Sequence, residues 1–350
     1  MGNNPDGPRI MRIGTYNVEW FDRLFDNNGD LIDDGSWSAR WNVTKAQQTA
    51  ALGLVFNAMD LDAIVVVEAP DSSRKRDGAL ALENFAARFN LRARKAVVGF
   101  ENNTQQEIAL LYDPDVVSAV HDPIGEPTGK KGSSKAPRFD GVFRIDVNTD
   151  AAPELITWSK PPLEVALKTA TGSVIRLIGV HAKSKAPHGA RNDAEVARMS
   201  IENRRKQLAQ CIWLRQRVDT HLTAGDDLIV LGDFNDGPGL DEYEKLFGRS
   251  GVEIVLGEDH AVRMFDPHAH IALGQRIGAM PSTSRFKRRD GPYLQALLDY
   301  VMVSPRLRDL GPDWQIWHPF DHPDCYENLP LREALLTASD HFPVVMELPA

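Results

Sequence analysis

Apolar runs of strand length that stop at a polar residue constrain this chain more than any other feature. IGTY ends at Asn17, AIVVV at Glu68, VIRLIGV at His181 and DLIVLG at Asp233, while Asp299 precedes YVMV and His341 precedes FPVVM. Four runs arriving at an edge and two leaving it can gather these six side chains at one rim of a mixed sheet. Asn235, two residues past Asp233, joins them. Carboxylates, imidazoles and amides on rigid strand ends are the parts needed to hold a divalent metal and a phosphate group.

Strand-like segments at about 10–17, 62–68, 107–112, 163–167, 174–181, 227–232, 298–303 and 343–348 alternate with helical ones, which predicts an α/β fold. Asn42 is placed to cap a helix through about Met59, Ala79 to Phe89 reads as another, and Ala194 to about His221 is the longest. In that long helix Val196, Met199, Ile212, Arg215 and Val218 alternate with polar stretches, the pattern of a helix covering a sheet. The chain has 350 residues, 42% hydrophobic and 25% charged, enough for one large or two small domains. No clear linker divides it, so one domain with two sheets packed face to face and helices outside is preferred over two separable domains. The expected organisation is a flexible N-terminus over 1–9 and one domain over 10–350, with loop-rich insertions at about 113–162 and 236–292. The first insertion, dense in Pro, Gly and Ser, has room for a short hairpin around Gly141 to Val147.

Cys211 falls inside a helical segment and Cys325 in a Pro/His-rich loop, so neither a disulfide framework nor a zinc pattern is visible. The opening MGNNPDGPRI lacks a basic start and an apolar stretch, so no signal peptide is expected and a cytoplasmic location is favoured. Met1-Gly2 suggests myristoylation only superficially, since Asp6 stands where that motif needs Ser or Thr. No run approaches the length of a membrane span, and mean hydropathy is -0.33. A net charge of -9 argues against a generally basic surface for coating nucleic acid, though not against a local groove. Basic groups cluster at Arg74-Lys75-Arg76, Lys130-Lys131, Lys183 with Lys185, and Arg285 with Lys287-Arg288-Arg289. Solvated loops account for Lys130-Lys131. Beside the last group, Phe286 and Tyr293 could supply a stacking face, although loop aromatics more often anchor the loop. His268 and His270 form a His-x-His pair that could ligate zinc, but without companion ligands they read as a loop feature.

Each motif alone has an ordinary explanation. In LIVLGDFNDGPG the run breaks at Gly232 and presents Asp233, Asn235 and Asp236, which are also common turn residues. Asp340 and His341 in TASDHFPVVM could be a capped strand start, and a lone histidine such as His181 is more often structural. Glu68 is more telling, because a carboxylate ending three consecutive valines faces a desolvation penalty unless a cation, a hydrogen bond or solvent meets it.

Taken in order, from Thr15-Tyr16-Asn17 to Ser339-Asp340-His341, these pieces resemble the endonuclease/exonuclease/phosphatase superfamily of metal-dependent phosphoesterases. The resemblance implies a four-layer α/β/β/α sandwich of two mixed β-sheets with helices on the outer faces, and a site where the sheets meet. It implies Mg²⁺ or Mn²⁺ held by Glu68, Asn17 and Asp340. Asp233 then orients or deprotonates the attacking water, Asn235 hydrogen-bonds a phosphate oxygen, and His341 contacts the scissile phosphate under the orientation of Asp299. His181 resembles the second histidine of the deoxyribonuclease and sphingomyelinase branches. Lys183 is a further candidate for the substrate phosphate, as is Glu107, a carboxylate that could partner His181 if Gln106 does not take that register. The sequence departs from the family pattern where Gln-Glu becomes Val67-Glu68 and Arg-Pro-Pro becomes Lys160-Pro161-Pro162, which loses the planar fork.

The implied function is a metal-dependent phosphodiesterase, a nuclease first, with a sphingomyelinase-like or inositol 5-phosphatase-like enzyme as the alternative and a noncatalytic binding scaffold behind both. The expected partner is a phosphoester substrate, nucleic acid before others, with no obligate protein partner.

Overall fold

The apolar runs become the inner strands of two mixed sheets in the computed structural model, which describes residues 10–102, 104, 106–145, 153–187, 189–239, 244–274, 280–287 and 291–349. In chain order the strands are β1 (Ile10–Asn17), β2 (Ala63–Ala69), β3 (Lys95–Val98), β4 (Glu107–Tyr112), β5 (Val117–His121), β6 (Phe143–Ile145), β7 (Glu154–Ile156) and β8 (Leu163–Thr169). They continue as β9 (Val174–His181), β10 (Asp227–Asp233), β11 (Ser284–Phe286), β12 (Leu294–Ala296), β13 (Asp299–Val303), β14 (Asp313–Ile316) and β15 (Val344–Pro349). One sheet has the order β14-β15-β1-β2-β4-β3 and the other β13-β10-β9-β8-β5, with β6-β7 and β11-β12 as separate hairpins.

Strand direction decides where the polar run-ends go. β1 and β2 are parallel, so Asn17 and Glu68 leave the first sheet at the same end. β9 and β10 are also parallel, with His181 beside Asp233 in register. β13 runs antiparallel to β10, which sets Asp299 opposite Asp233, and β15 runs antiparallel to β1, which brings the residues just before it to the same rim.

Between the sheets lies a layer of apolar side chains, Ile13, Val65 and Leu110 from one and Val165, Leu177 and Leu231 from the other. Burying each Val, Leu or Ile contributes about 1.5–3 kcal/mol, which makes this layer the main glue between the sheets. Gly179 lets the sheets approach, since a Cβ there would stand 2.9 Å from Ile108 and 3.0 Å from Val65. The outer face of the first sheet is covered by the helices Lys45–Met59, Gly78–Phe89 and Leu329–Ala338, through Leu52, Phe56, Phe85 and Leu335. The second is covered mainly by the helix Asp193–Ala224, through Leu208, Trp213 and Val218. The result is a four-layer α/β/β/α sandwich.

Gly232 is the backbone device next to the site. It has φ +134°, and a Cβ there would lie 2.1 Å from the Val180 carbonyl oxygen. Replacing it with alanine is expected to cost about 1–3 kcal/mol through overpacking, read as a lower midpoint in thermal or denaturant unfolding.

Several local expectations need correction. The first helix is capped by Thr44, not Asn42: the Thr44 hydroxyl accepts from the Gln47 N–H at 3.2 Å, and the Gln47 side chain accepts from the Thr44 N–H at 2.9 Å. Asn42 sits earlier in a left-handed turn with φ 59°. The long helix is three residues longer than expected at its C-terminal end and stops at Gly225, φ 77°. Arg215 is buried in it, and its guanidinium donates to the carbonyls of Val255, Leu256 and Val262. His268 and His270 lie in a helix, Pro267–Gly274, rather than a loop, with the Asp266 carboxylate accepting from the Ala269 N–H at 2.8 Å. In place of a hairpin confined to Gly141–Val147, β6 pairs with β7 at Glu154–Ile156, beyond that range, and Val147 lies outside the described residues, as do 1–9. Among the described residues no helix is long and apolar enough to cross a membrane.

Candidate active site

Glu68 leaves the first sheet at a bulge. The β2–β4 register shifts between Val67 and Ala69, and Glu68 takes φ 60°, a conformation that costs a non-glycine residue energy and turns its side chain off the pleat. Its Oε2 accepts from the Trp20 N–H and from the Gln106 amide, each at 2.8 Å. Trp20 is itself left-handed, φ 60°, which aims its N–H at the carboxylate. Burial raises the pKa of Glu68, while nearby Lys160 opposes that rise.

Asp233 ends β10 fully surrounded by donors and bases. Its Oδ1 accepts from the Asn235 N–H at 2.7 Å, and its Oδ2 from the side-chain amides of Asn17 at 3.0 Å and Asn235 at 3.1 Å. Burial pushes its pKa up to about 7, against the pull of His341. The Asn17–Asp233 bond joins the two sheets directly. Asn235 adopts φ 49°, and both hydrogens of its amide are engaged, one by Asp233 and one by the Ala182 carbonyl at 3.1 Å. A phosphate oxygen could take that N–H only by displacing one of these acceptors.

His341 Nδ1 is 2.7 Å from Asp299 Oδ2, which also accepts from the Thr283 hydroxyl at 2.8 Å. Burial pulls the imidazole pKa down, but Asp299, then Asp233 and Asp340, carry it up to about 10. Nδ1 is thereby occupied and Nε2 is the free ring edge. The His341 N–H donates to the Ser339 hydroxyl at 3.1 Å, and that hydroxyl donates to the Asn17 carbonyl at 2.7 Å. Serine thus pins the entry of β15 to the exit of β1.

His181 stands 3.6 Å from Asp233 through Nε2. Its ring nitrogens lie 3.1 and 3.2 Å from Lys160 Nζ. Burial, with Lys160 and His341 adding to it, holds its pKa well below the ordinary histidine value, so the ring is neutral. Lys160 is the residue at the Lys-Pro-Pro departure, and its signal in the sequence was that substitution. Glu19 is another unforeseen member: its Oε2 accepts from the Asp340 N–H at 3.0 Å and pairs with Arg40.

Asn17, Glu68, His181, Lys183, Asp233, Asn235, Asp340 and His341 all line one cavity of about 960 Å³, and Asp299 stands directly behind His341. Glu107 does not line it. Its carboxylate accepts from the Asn102 side-chain amide at 2.6 Å, and the expected contact with His181 is replaced by Lys160. Neighbouring residues of a strand point to opposite faces, so Gln106 reaches Glu68 and Glu107 turns away. Of the basic groups, Arg76 serves as a tie, donating to Asp71 and to the carbonyls of Asp22, Phe25 and Asp26, and Lys185 pairs with Asp236. Arg288 and Arg289 lie outside the described residues.

The donors at this rim fit the implied divalent cation. Glu68, Asp340 and the Asn17 side-chain amide offer hard oxygen ligands, and all three residues line the same cavity. Asp233, Asp299 and His341 also bring ligand atoms within 4.8 Å of one another. There the 2.7 Å contact between His341 and Asp299 already engages one ligand atom of each.

A comparison with protein families matches residues 14–341 to the Endonuclease/Exonuclease/phosphatase family. No curated protein matches the sequence. Among solved structures, truncated Caenorhabditis elegans TDP2 superposes with a TM-score of 0.51 at 12% identity, over 97% of this chain and 98% of that one. The Bacteroides thetaiotaomicron mannosyl-6-phosphatase superposes with a TM-score of 0.50 at 14% identity, over 97% and 99%. These likenesses establish the fold, and the match over nearly the whole sequence establishes the family: the chain belongs to the endonuclease/exonuclease/phosphatase family, whose members are phosphoester hydrolases.

Proposed function

We propose that this protein is a phosphodiesterase, a nuclease that hydrolyses DNA or RNA by in-line attack of water on phosphorus. The observation that carries the reading is the Asn17–Asp233 bond at 3.0 Å, which sets a buried carboxylate between His181 and a His341 held by Asp299. Asp233 is positioned to orient the water and accept its proton. His341 presents Nε2 to the phosphoryl oxygens, and Asp299 keeps that edge forward by binding Nδ1. His181 can hydrogen-bond a second non-bridging oxygen, with Lys160 and Lys183 supplying positive charge on that side. Glu68, Asp340 and Asn17 would hold Mg²⁺ or Mn²⁺, which when bound supplies Lewis-acid stabilisation of the developing phosphoryl charge.

The Bacteroides thetaiotaomicron mannosyl-6-phosphatase shares the fold, so the fold does not select the ester and substrate choice must come from this chain's own walls. The lining of this cavity of about 960 Å³ includes Lys160 and Lys183 as well as Phe286 and Leu298, which suits the two ester arms of a diester. The test is a cation-supplemented panel of plasmid DNA, single-stranded DNA, RNA, sphingomyelin and inositol phosphates. Nucleic acid cleavage is expected to dominate, and preference for either of the last two would sink the nuclease reading.

Exhaustive EDTA treatment should abolish turnover, with added Mg²⁺ or Mn²⁺ restoring it. Glu68→Gln, which keeps the side-chain volume and removes the charge, should weaken cation affinity, measured by calorimetry. Activity that survives the chelator would exclude the cation site at Glu68.

A further inference from the structure

We infer that the site binds an unpaired nucleobase beside the scissile phosphate, so that the substrate is a single strand; this rests on the phosphodiesterase reading above. The cavity has two unlike walls. Phe286, Leu294, Ala296 and Leu298, on the β11–β12 hairpin and just after it, form an apolar wall, and the basic Lys160 and Lys183 also line the cavity. His341 links the catalytic cluster to the hairpin. Ser284 bridges to His341, and the Phe286 ring packs edge-on against the imidazole, with centroids 5.5 Å apart at 77°. A group attached to a phosphate held by His341 therefore meets the Phe286 wall within one ring's reach.

Cation-backed rings stand beside the sequence neighbours of Phe286, outside the cavity lining. Arg285 lies 3.6 Å from the Tyr293 ring centroid and Lys287 lies 3.9 Å from that of Trp41, which is 77% exposed. Rings backed by cations, next to lysines that suit neighbouring phosphates, match a base with its charged backbone. A duplex keeps its base faces stacked and would have to open to use the wall. The net charge of -9 disfavours the alternative of tracking a long duplex backbone by charge alone.

The experiment compares thymidine 5′-(p-nitrophenyl phosphate) with the abasic 2-deoxyribose 5′-(p-nitrophenyl phosphate), which have the same sugar and leaving group with and without a base, using the full chain with Mg²⁺ or Mn²⁺. The base-bearing ester is expected to have a kcat/KM higher by about 10-fold or more, and Phe286→Ala should collapse that ratio. Trp41→Ala, at an exposed position, should slow cleavage of a single-stranded oligonucleotide relative to the thymidine ester, and it guards against a Phe286 variant that fails to fold. The wild type should cut the oligonucleotide faster than its annealed duplex. Equal rates on the two esters, equal loss on both in Phe286→Ala, or a duplex cut as fast as the single strand would overturn the base site while leaving the phosphodiesterase reading in place. Preference for sphingomyelin vesicles over both nucleotide substrates would overturn it in favour of a membrane surface. Hydrolysis of no phosphoester would remove the phosphodiesterase reading and the inference together.

Discussion

Asp233→Asn is expected to lower kcat on a phosphodiester by about 10²–10⁴-fold, the range in which a positioned acid–base group contributes. The carboxylate accepts from the Asn235 N–H, the Asn235 amide and the Asn17 amide, so an amide in its place keeps an oxygen for one side and turns an N–H toward donors on the other. The folded structure should survive, because the strand register and the inter-sheet layer are untouched. The measurement is kcat and KM beside a thermal melt. A near-normal kcat would show that the water is activated elsewhere, whereas a lost melt would show that the Asn17–Asp233 contact is chiefly structural.

His341→Ala should cost a comparable factor, and Asp299→Asn less, because Asp299 acts through the imidazole. The distinguishing result is the double variant. If the 2.7 Å contact makes one unit of the two residues, removing Asp299 from a protein that already lacks His341 should add almost nothing. Independent, multiplying losses would separate them. Asp299 Oδ1 is buried and has no hydrogen-bond partner among the described residues, so in the histidine-free protein Oδ2 keeps the Thr283 hydroxyl as its side-chain donor. Some of the loss in that variant will therefore appear as reduced thermal stability, which the melt separates from the chemistry.

The strands that carry the site were legible because each is buried and apolar up to one polar residue: Val65, Val66 and Val67 before Glu68, or Leu228 to Leu231 before Asp233. Length and alternation sufficed there. The edge strands β3, β5 and β14 were not legible, since each is four or five residues long and partly exposed. The same limit hid the helix Leu329–Ala338, whose start is set by Asn328 accepting from the Leu331 N–H, a local bond that composition does not distinguish from a turn. Register was the other blind spot. Gln106 and Glu107 differ by one position, and only the bulge at Glu68 determines which of them faces the rim. Lys160 was seen as a departure from the family pattern, but its place against His181 depends on a loop, Thr157 to Pro162, with no periodicity to read.

Serine 339 reaching back to the carbonyl of Asn17, across 322 positions of sequence, bears on how the enzyme comes into being. β15 lies between β14 and β1, so the first sheet stays split until the most distant strand is threaded into it. A nascent chain emerging from the ribosome would carry Asn17, Glu68 and Asp233 long before it carried His341. On the proposed reading the site is completed last, and a truncation ahead of Ser339 would leave Asn17, Glu68 and Asp233 without their histidine.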